Sequence, residues 1–186
     1  LATGMEMSGG GYYRVFGPDF RVNAGETDKV TGQLLFTRSV TPDRPGQAAE
    51  WDGRTLSGHG ADVWWEHSTE TWDWGLEYKD FSDGFRADLG FVPQVGFREG
   101  FAQVGRSYRP KGFFSWVRPE FFADYLADRD GDLLSQVVGV GVSVSTKYSG
   151  SAGITLRTDK VLAGDGVLSR SRVTFSLAAS PSRFFG

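Results

Sequence analysis

Between Trp72 and Lys79 the chain alternates without a slip: Trp72, Trp74, Leu76 and Tyr78 share one parity, Asp73, Gly75, Glu77 and Lys79 the other. Successive side chains of a strand point to opposite faces, so this stretch is a ribbon with one apolar and one polar side. The rhythm recurs along the sequence. Phe16, Pro18, Phe20, Val22 and Ala24 oppose Gly17, Asp19, Arg21 and Asn23. Ala61, Val63 and Trp65 oppose Asp62 and Glu66, with Trp64 an exception on the polar parity. Val117, Pro119, Phe121, Ala123 and Tyr125 oppose Arg118, Glu120 and Asp124, with Phe122 among them. Val138, Val140, Val142 and Val144 oppose glycines and serines; Ile154 and Leu156 oppose Thr155, Arg157 and Asp159. Val173, Phe175, Leu177 and Ala179 oppose Arg172, Thr174 and Ser176, and weaker runs cover Gln33 to Val40 and Phe97 to Tyr108.

No segment carries a sustained apolar stripe at helical spacing, so the expectation is an all-β single domain over residues 1–186, with about nine strands. Turn chemistry punctuates the runs at Gly25 to Asp28, Ser68 to Thr71, Asp128 to Asp132, Ser149 to Ser151 and Gly164 to Gly166. Two joints are longer: Thr41 to Gly58 is rich in Pro, Gly and charge, and Phe81 to Gln94 reads as semi-ordered.

An alternating all-β chain can bury its apolar face against a second sheet or turn it outward to lipid. The polar parity discriminates. It mixes Asp19, Arg21, Asp62, Glu66, Asp73, Glu77, Lys79, Arg118, Glu120, Asp124, Arg157, Asp159 and Arg172 with small residues, which suits the crowded lumen of a barrel. The aromatics point the same way. Trp65, Trp72, Trp74, Tyr78, Phe121 and Tyr125 join Val140, Val142 and Phe175 on the apolar parity. Several lie near segment ends, where membrane barrels place aromatic girdles. The fold expected is an antiparallel up-and-down transmembrane β-barrel. The strands present number about eight to ten, and a count that bacterial barrels make even suggests they belong to a larger barrel.

Composition narrows the function classes. With 20 basic and 23 acidic residues, net charge −3 and no dense basic block, nucleic acid is not an expected partner. The absence of Cys excludes a disulfide framework, a thiol nucleophile and cysteine-ligated metals. Gly, at 26 residues, is about twice its average share. No apolar run approaches the length of a membrane helix. No charged-then-apolar leader follows Leu1, so any signal peptide is expected to be removed or to lie outside these residues.

The stretch Tyr78 to Gln94 contains Phe85-x-x-x-x-Gly90-Phe91-Val92-Pro93-Gln94 after a Trp-rich strand. It resembles a motif of bacterial outer-membrane β-barrel proteins that carry an N-terminal carbohydrate-binding module of the family 9 type. Gly17-Pro18-Asp19-Phe20-Arg21, the Gly32 to Leu35 strand and Ser180-Pro181-Ser182-Arg183 are similar too; Gln94 stands where Arg is more frequent. The likeness is good over about 20 residues and loose over most of the chain. It implies a central part of a barrel in the outer membrane of a Gram-negative bacterium, with a carbohydrate-binding module upstream, and it hands over no catalytic mechanism. Lipid bilayer, the rest of the barrel and a polysaccharide are the partners it suggests.

The remaining chemistry is thin, and neither an enzyme nor a cofactor is expected. His59 and His67 share the apolar parity but lie about 26 Å apart along one strand, while Asp62 and Glu66 face the other way. Ser57 and Ser68 are near them, without a nucleophile elbow, so a membrane-embedded hydrolase is a minor alternative. Asp128, Asp130 and Asp132 around Gly131 form a weak calcium candidate whose glycine falls too early for a calcium loop; Asp-Gly is also a hairpin signal. Trp51 could stack on a sugar. The main alternative from another class is a soluble β-sandwich that binds carbohydrate on aromatic platforms.

Overall fold

The computed structural model describes residues 1–7, 10–43, 46, 52–86, 94–164 and 166–179. Trp51, residues 87–93 of the aromatic motif and Ser180 to Arg183 lie outside the described residues.

The described strands are β1 (Ala2–Glu6), β2 (Tyr12–Phe16), β3 (Asp19–Ala24), β4 (Asp28–Val40), β5 (Thr55–Ser68), β6 (Trp72–Phe81), β7 (Phe97–Arg106), β8 (Phe114–Asp128), β9 (Leu133–Thr146), β10 (Gly150–Ala163) and β11 (Gly166–Ala179). They form one antiparallel sheet in the order β1-β2-β4-β5-β6-β7-β8-β9-β10-β11, with β3 also paired to β4. The up-and-down, all-β expectation is met, with eleven strands where about nine were expected. β2 and β3 are two halves of one line: Phe16 faces Phe36 and Asp19 faces Gln33, an unbroken register against β4. The break falls at Gly17-Pro18. Proline has no N–H to give the ladder, and a Cβ on Gly17 would overlap the Leu34 carbonyl. The sheet is not closed among the described residues: β1 and β3 lie along one edge, β11 forms the other, and the two edges do not pair.

Register turns the sequence parities into rows across the sheet. One row runs His67, Trp74, Val104, Phe121, Val140, Leu156, Val173. A parallel row on the opposite face runs Trp64, Glu77, Phe101, Asp124, Val137, Asp159, Arg170. The two faces differ in burial in the reverse of the usual sense. Val138, Val140 and Val142 are exposed while Gly139 and Gly141 between them are buried. Val140 is 48 % exposed, whereas Asp159 on the polar face is 3 % exposed. All described strands belong to this one sheet, so no second sheet covers the apolar stripe among the described residues.

Over its middle strands the polar face is partly enclosed by its own side chains, and several glycines make room for them. A Cβ on Gly139 would overlap the Phe122 ring, one on Gly75 would press on the Trp64 indole, and one on Gly105 would strike the Arg118 guanidinium. The two bulky exceptions to the alternation, Trp64 and Phe122, thus lie flat in glycine notches of neighbouring strands. Trp64 also stacks on Phe101 at 6.0 Å and donates to Glu66 at 3.0 Å.

The joints divide by rim. Those after β3, β5, β7 and β9 leave from one end of the strands; those after β1, β4, β6, β8 and β10 leave from the other. Both long joints therefore share a rim.

Candidate functional site

All thirteen charged residues expected to line a lumen lie on the polar face. Asp19 and Arg21 sit on the edge strand β3, exposed; Asp19 lines one open cleft with Gln33, Asp62 and Trp64, and Arg21 lines a second, toward the short-turn rim, with Asn23, Lys29 and Glu66. Most of the others join in ion pairs, along a strand or across neighbouring ones. Lys79 lies 3.0 Å from Glu77 and 3.3 Å from Glu99, with Asp62 beside Glu77 and Asp124 beside Glu99. One ammonium thus stands among four carboxylates. Arg118 reaches across β7, over Gly105, to chelate Asp73 with its Nε at 3.1 Å from Oδ1, and its other end meets Glu120. Asp159 accepts from Arg170 at 2.8 Å and from Arg157. Lys29 pairs with Glu66. Arg172 is the register partner of Arg157. Glu99, Arg170 and Lys29 were not singled out from sequence, although each sits on the polar parity of its strand; the weaker alternation of β4 and β7 hid two of them.

The apolar-parity candidates occupy the opposite face. Trp65, Trp72, Tyr78, Phe121, Tyr125, Val140, Val142 and Phe175 are exposed, and Trp74 packs against Trp65 at 4.5 Å. The aromatics gather at the short-turn rim. His67 stacks on Trp74 at 5.4 Å, Arg106 lies over Trp72 and Tyr108, and Phe113 contacts Phe114 and Tyr148. Asp28 ties this band together, accepting from the Trp65 indole at 3.1 Å and meeting His67 Nδ1 at 3.0 Å. Tyr78 and Tyr125 form a second level toward the other rim, facing each other across Gly100.

The long joint after β6 turns onto the polar face. Ser82 donates through its amide to the His59 carbonyl at 3.0 Å and accepts the His59 N–H at 2.8 Å. The Arg86 amide donates to Thr37 Oγ1 at 3.2 Å. Between them Phe85, 1 % exposed, is the largest fully buried side chain among the described residues. Its seat is built of small residues: Thr37 and Ser39 on β4 are buried, and a Cβ on Gly58 would overlap the Phe85 backbone. The semi-ordered expectation for this joint is therefore corrected over 82–86, which are docked against the wall.

Other sequence candidates resolve simply. Asp128 Oδ1 accepts the backbone N–H groups of Asp130, Gly131 and Asp132 at 3.0, 2.9 and 2.8 Å, and Gly131 has φ +100°, so this joint is a capped hairpin turn. No group of three or more His, Asp or Glu is placed to hold a metal among the described residues. His59 and His67 do not converge; each imidazole faces a carboxylate, Asp80 at 3.6 Å and Asp28 at 3.0 Å. Ser82 bonds the His59 backbone and not its ring. In the 41–54 joint, partial desolvation pushes the Asp52 carboxyl up. The Arg54 amide and guanidinium and the Thr41 hydroxyl outweigh it and hold the group below the ordinary carboxylate range.

What the arrangement offers is a wall: a charged, self-paired face on one side and an unpartnered apolar face on the other. In comparisons with protein-family models, curated proteins and solved structures, the chain matches none.

Proposed function

We propose that the chain is part of the wall of a bacterial outer-membrane β-barrel, with lipid on the Val/Phe/Trp face and a porin-like polar lumen on the other. It acts without catalysis, by separating lipid from a path that polar solutes can take. The observation that carries this reading is the inversion of burial. A soluble fold covers its apolar stripe; here charged Asp159 is enclosed while the row Phe121, Val140, Leu156 and Val173 is left open.

Dimensions agree. On β9 the apolar parity is Val138, Val140, Val142 and Val144, bounded by Gln136 and Thr146. Ten residue steps of strand are about 33 Å long, or about 25 Å of height at a barrel-like tilt, the thickness of an outer-membrane apolar band. Trp and Tyr near both ends suit the headgroup levels. Long joints at one rim and short turns at most of the other follow the usual asymmetry, which assigns the rim of 41–54 and 82–96 to the cell exterior. A soluble sandwich would need a second layer over the stripe. Open edges in hydrocarbon cost several kcal/mol for each unpaired backbone group, so the edges favour pairing with further strands of a larger barrel, and with each other or with a second copy when this chain is folded by itself. Anchoring of an upstream carbohydrate-binding module rests on the family resemblance alone.

The test is the solvent in which the chain folds. A strand-type circular dichroism spectrum with protease resistance is expected in detergent micelles or phosphatidylcholine vesicles and not in plain buffer. A folded, monodisperse monomer in plain buffer would overturn the reading.

A further inference from the structure

We propose that the charged cluster on the apolar face at the long-joint rim, built from Arg98, Arg129, His59 and Asp80, binds the phosphate groups of an anionic lipid headgroup; this rests on the membrane reading above. Its position is set by register. Asp80 follows Tyr78 by two residues and so shares the parity of Trp72, Trp74, Leu76 and Tyr78, one step beyond the tyrosine level. Arg98 is its register partner on β7, with Nε 3.3 Å from Asp80 Oδ2. Arg129 comes from the β8–β9 turn to the other oxygen, and His59 Nε2 lies 3.6 Å away from the β5 side.

The charge balance is what makes this a receptor. A single carboxylate faces two guanidiniums, which are always charged, and an imidazole. Asp80 is the enclosed member, its side chain 17 % exposed, whereas those of Arg98 and His59 are 47 % and 45 % exposed. Arg129, 23 % exposed, is enclosed with Asp80, so two fixed positive charges against one negative leave the cluster net positive, with Arg98 the guanidinium open to a ligand. Lys160, in the register line Tyr125, Gln136, Lys160, extends the cationic belt along the same parity.

A ligand for this place must offer anionic oxygens to planar Arg forks and carry apolar chains along the adjoining stripe. Lipid phosphate at the level of the aromatic girdle meets both demands; free phosphate meets only the first. At the exterior rim of an outer membrane the corresponding lipid is a phosphorylated glycolipid.

The experiment uses the whole chain folded in micelles of a non-ionic detergent and follows thermal unfolding as bis-phosphorylated lipid A is added. A ligand that binds the folded state raises the midpoint. The midpoint is expected to rise with lipid A and to stay put with the same lipid stripped of its phosphates or with inorganic phosphate. Arg98→Gln with Arg129→Gln should weaken the response about tenfold or more, as loss of charge-assisted bonds would. Arg98→Gln alone, which leaves Arg129 on Asp80, serves if the double variant does not fold. Lys111→Gln with Lys147→Gln, an equal charge change in turns at the other rim, should keep the response. No rise with lipid A, an equal rise with stripped lipid or inorganic phosphate, or equal loss in the Lys variant would each overturn the site. These failures leave the membrane reading standing, because the chain would still have required micelles to fold.

Discussion

Val140 and Thr155 are near neighbours in the sheet and face opposite ways. Val140 stands between Phe121 and Leu156 on the open apolar face. Thr155 faces Gly141, and a Cβ on that glycine would meet Thr155 Oγ1 and Glu120 Oε1. Arginine at these two positions should therefore have unequal effects. In chain folded into vesicles, Val140→Arg should cost about 2–4 kcal/mol, the range for a charge near the bilayer midplane of a barrel. Thr155→Arg, with space over a glycine and Glu120 at hand, should cost less than about 1 kcal/mol. Urea unfolding of both variants is the measurement, and equal losses would count against the assignment of faces. At this scale the sequence was highly legible, because parity alone sorted Val140 from Gly141 and Arg118 from Phe121. What parity could not show is which partner a charge finds. Arg118 reaches Asp73, 45 residues earlier, only because β6, β7 and β8 are in this register with Gly105 between them.

Strands with clean alternation, such as β6 and β9, could be read directly, while β1 and β2 were missed. In Tyr12-Tyr13-Arg14-Val15-Phe16 aromatic residues occupy both parities, so the run has no period, and its extension into β3 is interrupted by Gly17-Pro18. Within the joint after β6, the docking of 82–86 was not foreseen, for another reason. Its turn-forming residues give no hint of docking, and the seat for Phe85 is spread over Thr37, Ser39, Gly58 and Gly60 on two earlier strands. This element makes its own prediction. Phe85→Ala should destabilise the folded chain by about 3 kcal/mol or more, as emptying a close-packed site does. Gly58→Val should expel the segment by overlap with the Phe85 backbone and open 82–86 to limited proteolysis. Were Gly58→Val neutral in both stability and cleavage, the segment would not be held where its contacts indicate.

For the molecule as a whole, the fold class followed from sequence because a period of two sustained over many segments leaves few alternatives to an up-and-down sheet. Closure did not, since it depends on how edges meet; the described sheet ends at β1 and β11. The central claim is that hydrocarbon, rather than protein or water, contacts the apolar parity. The chain has no Cys, so single cysteines can be placed for nitroxide labels without background. The most direct measurement scans residues 137–144 of β9 in phosphatidylcholine bilayers for collision with lipid-soluble oxygen. The account predicts oxygen access at positions 138, 140, 142 and 144 and low access at 137, 139, 141 and 143, a strict period of two. Low oxygen access at all eight positions, or the opposite parity, would contradict it.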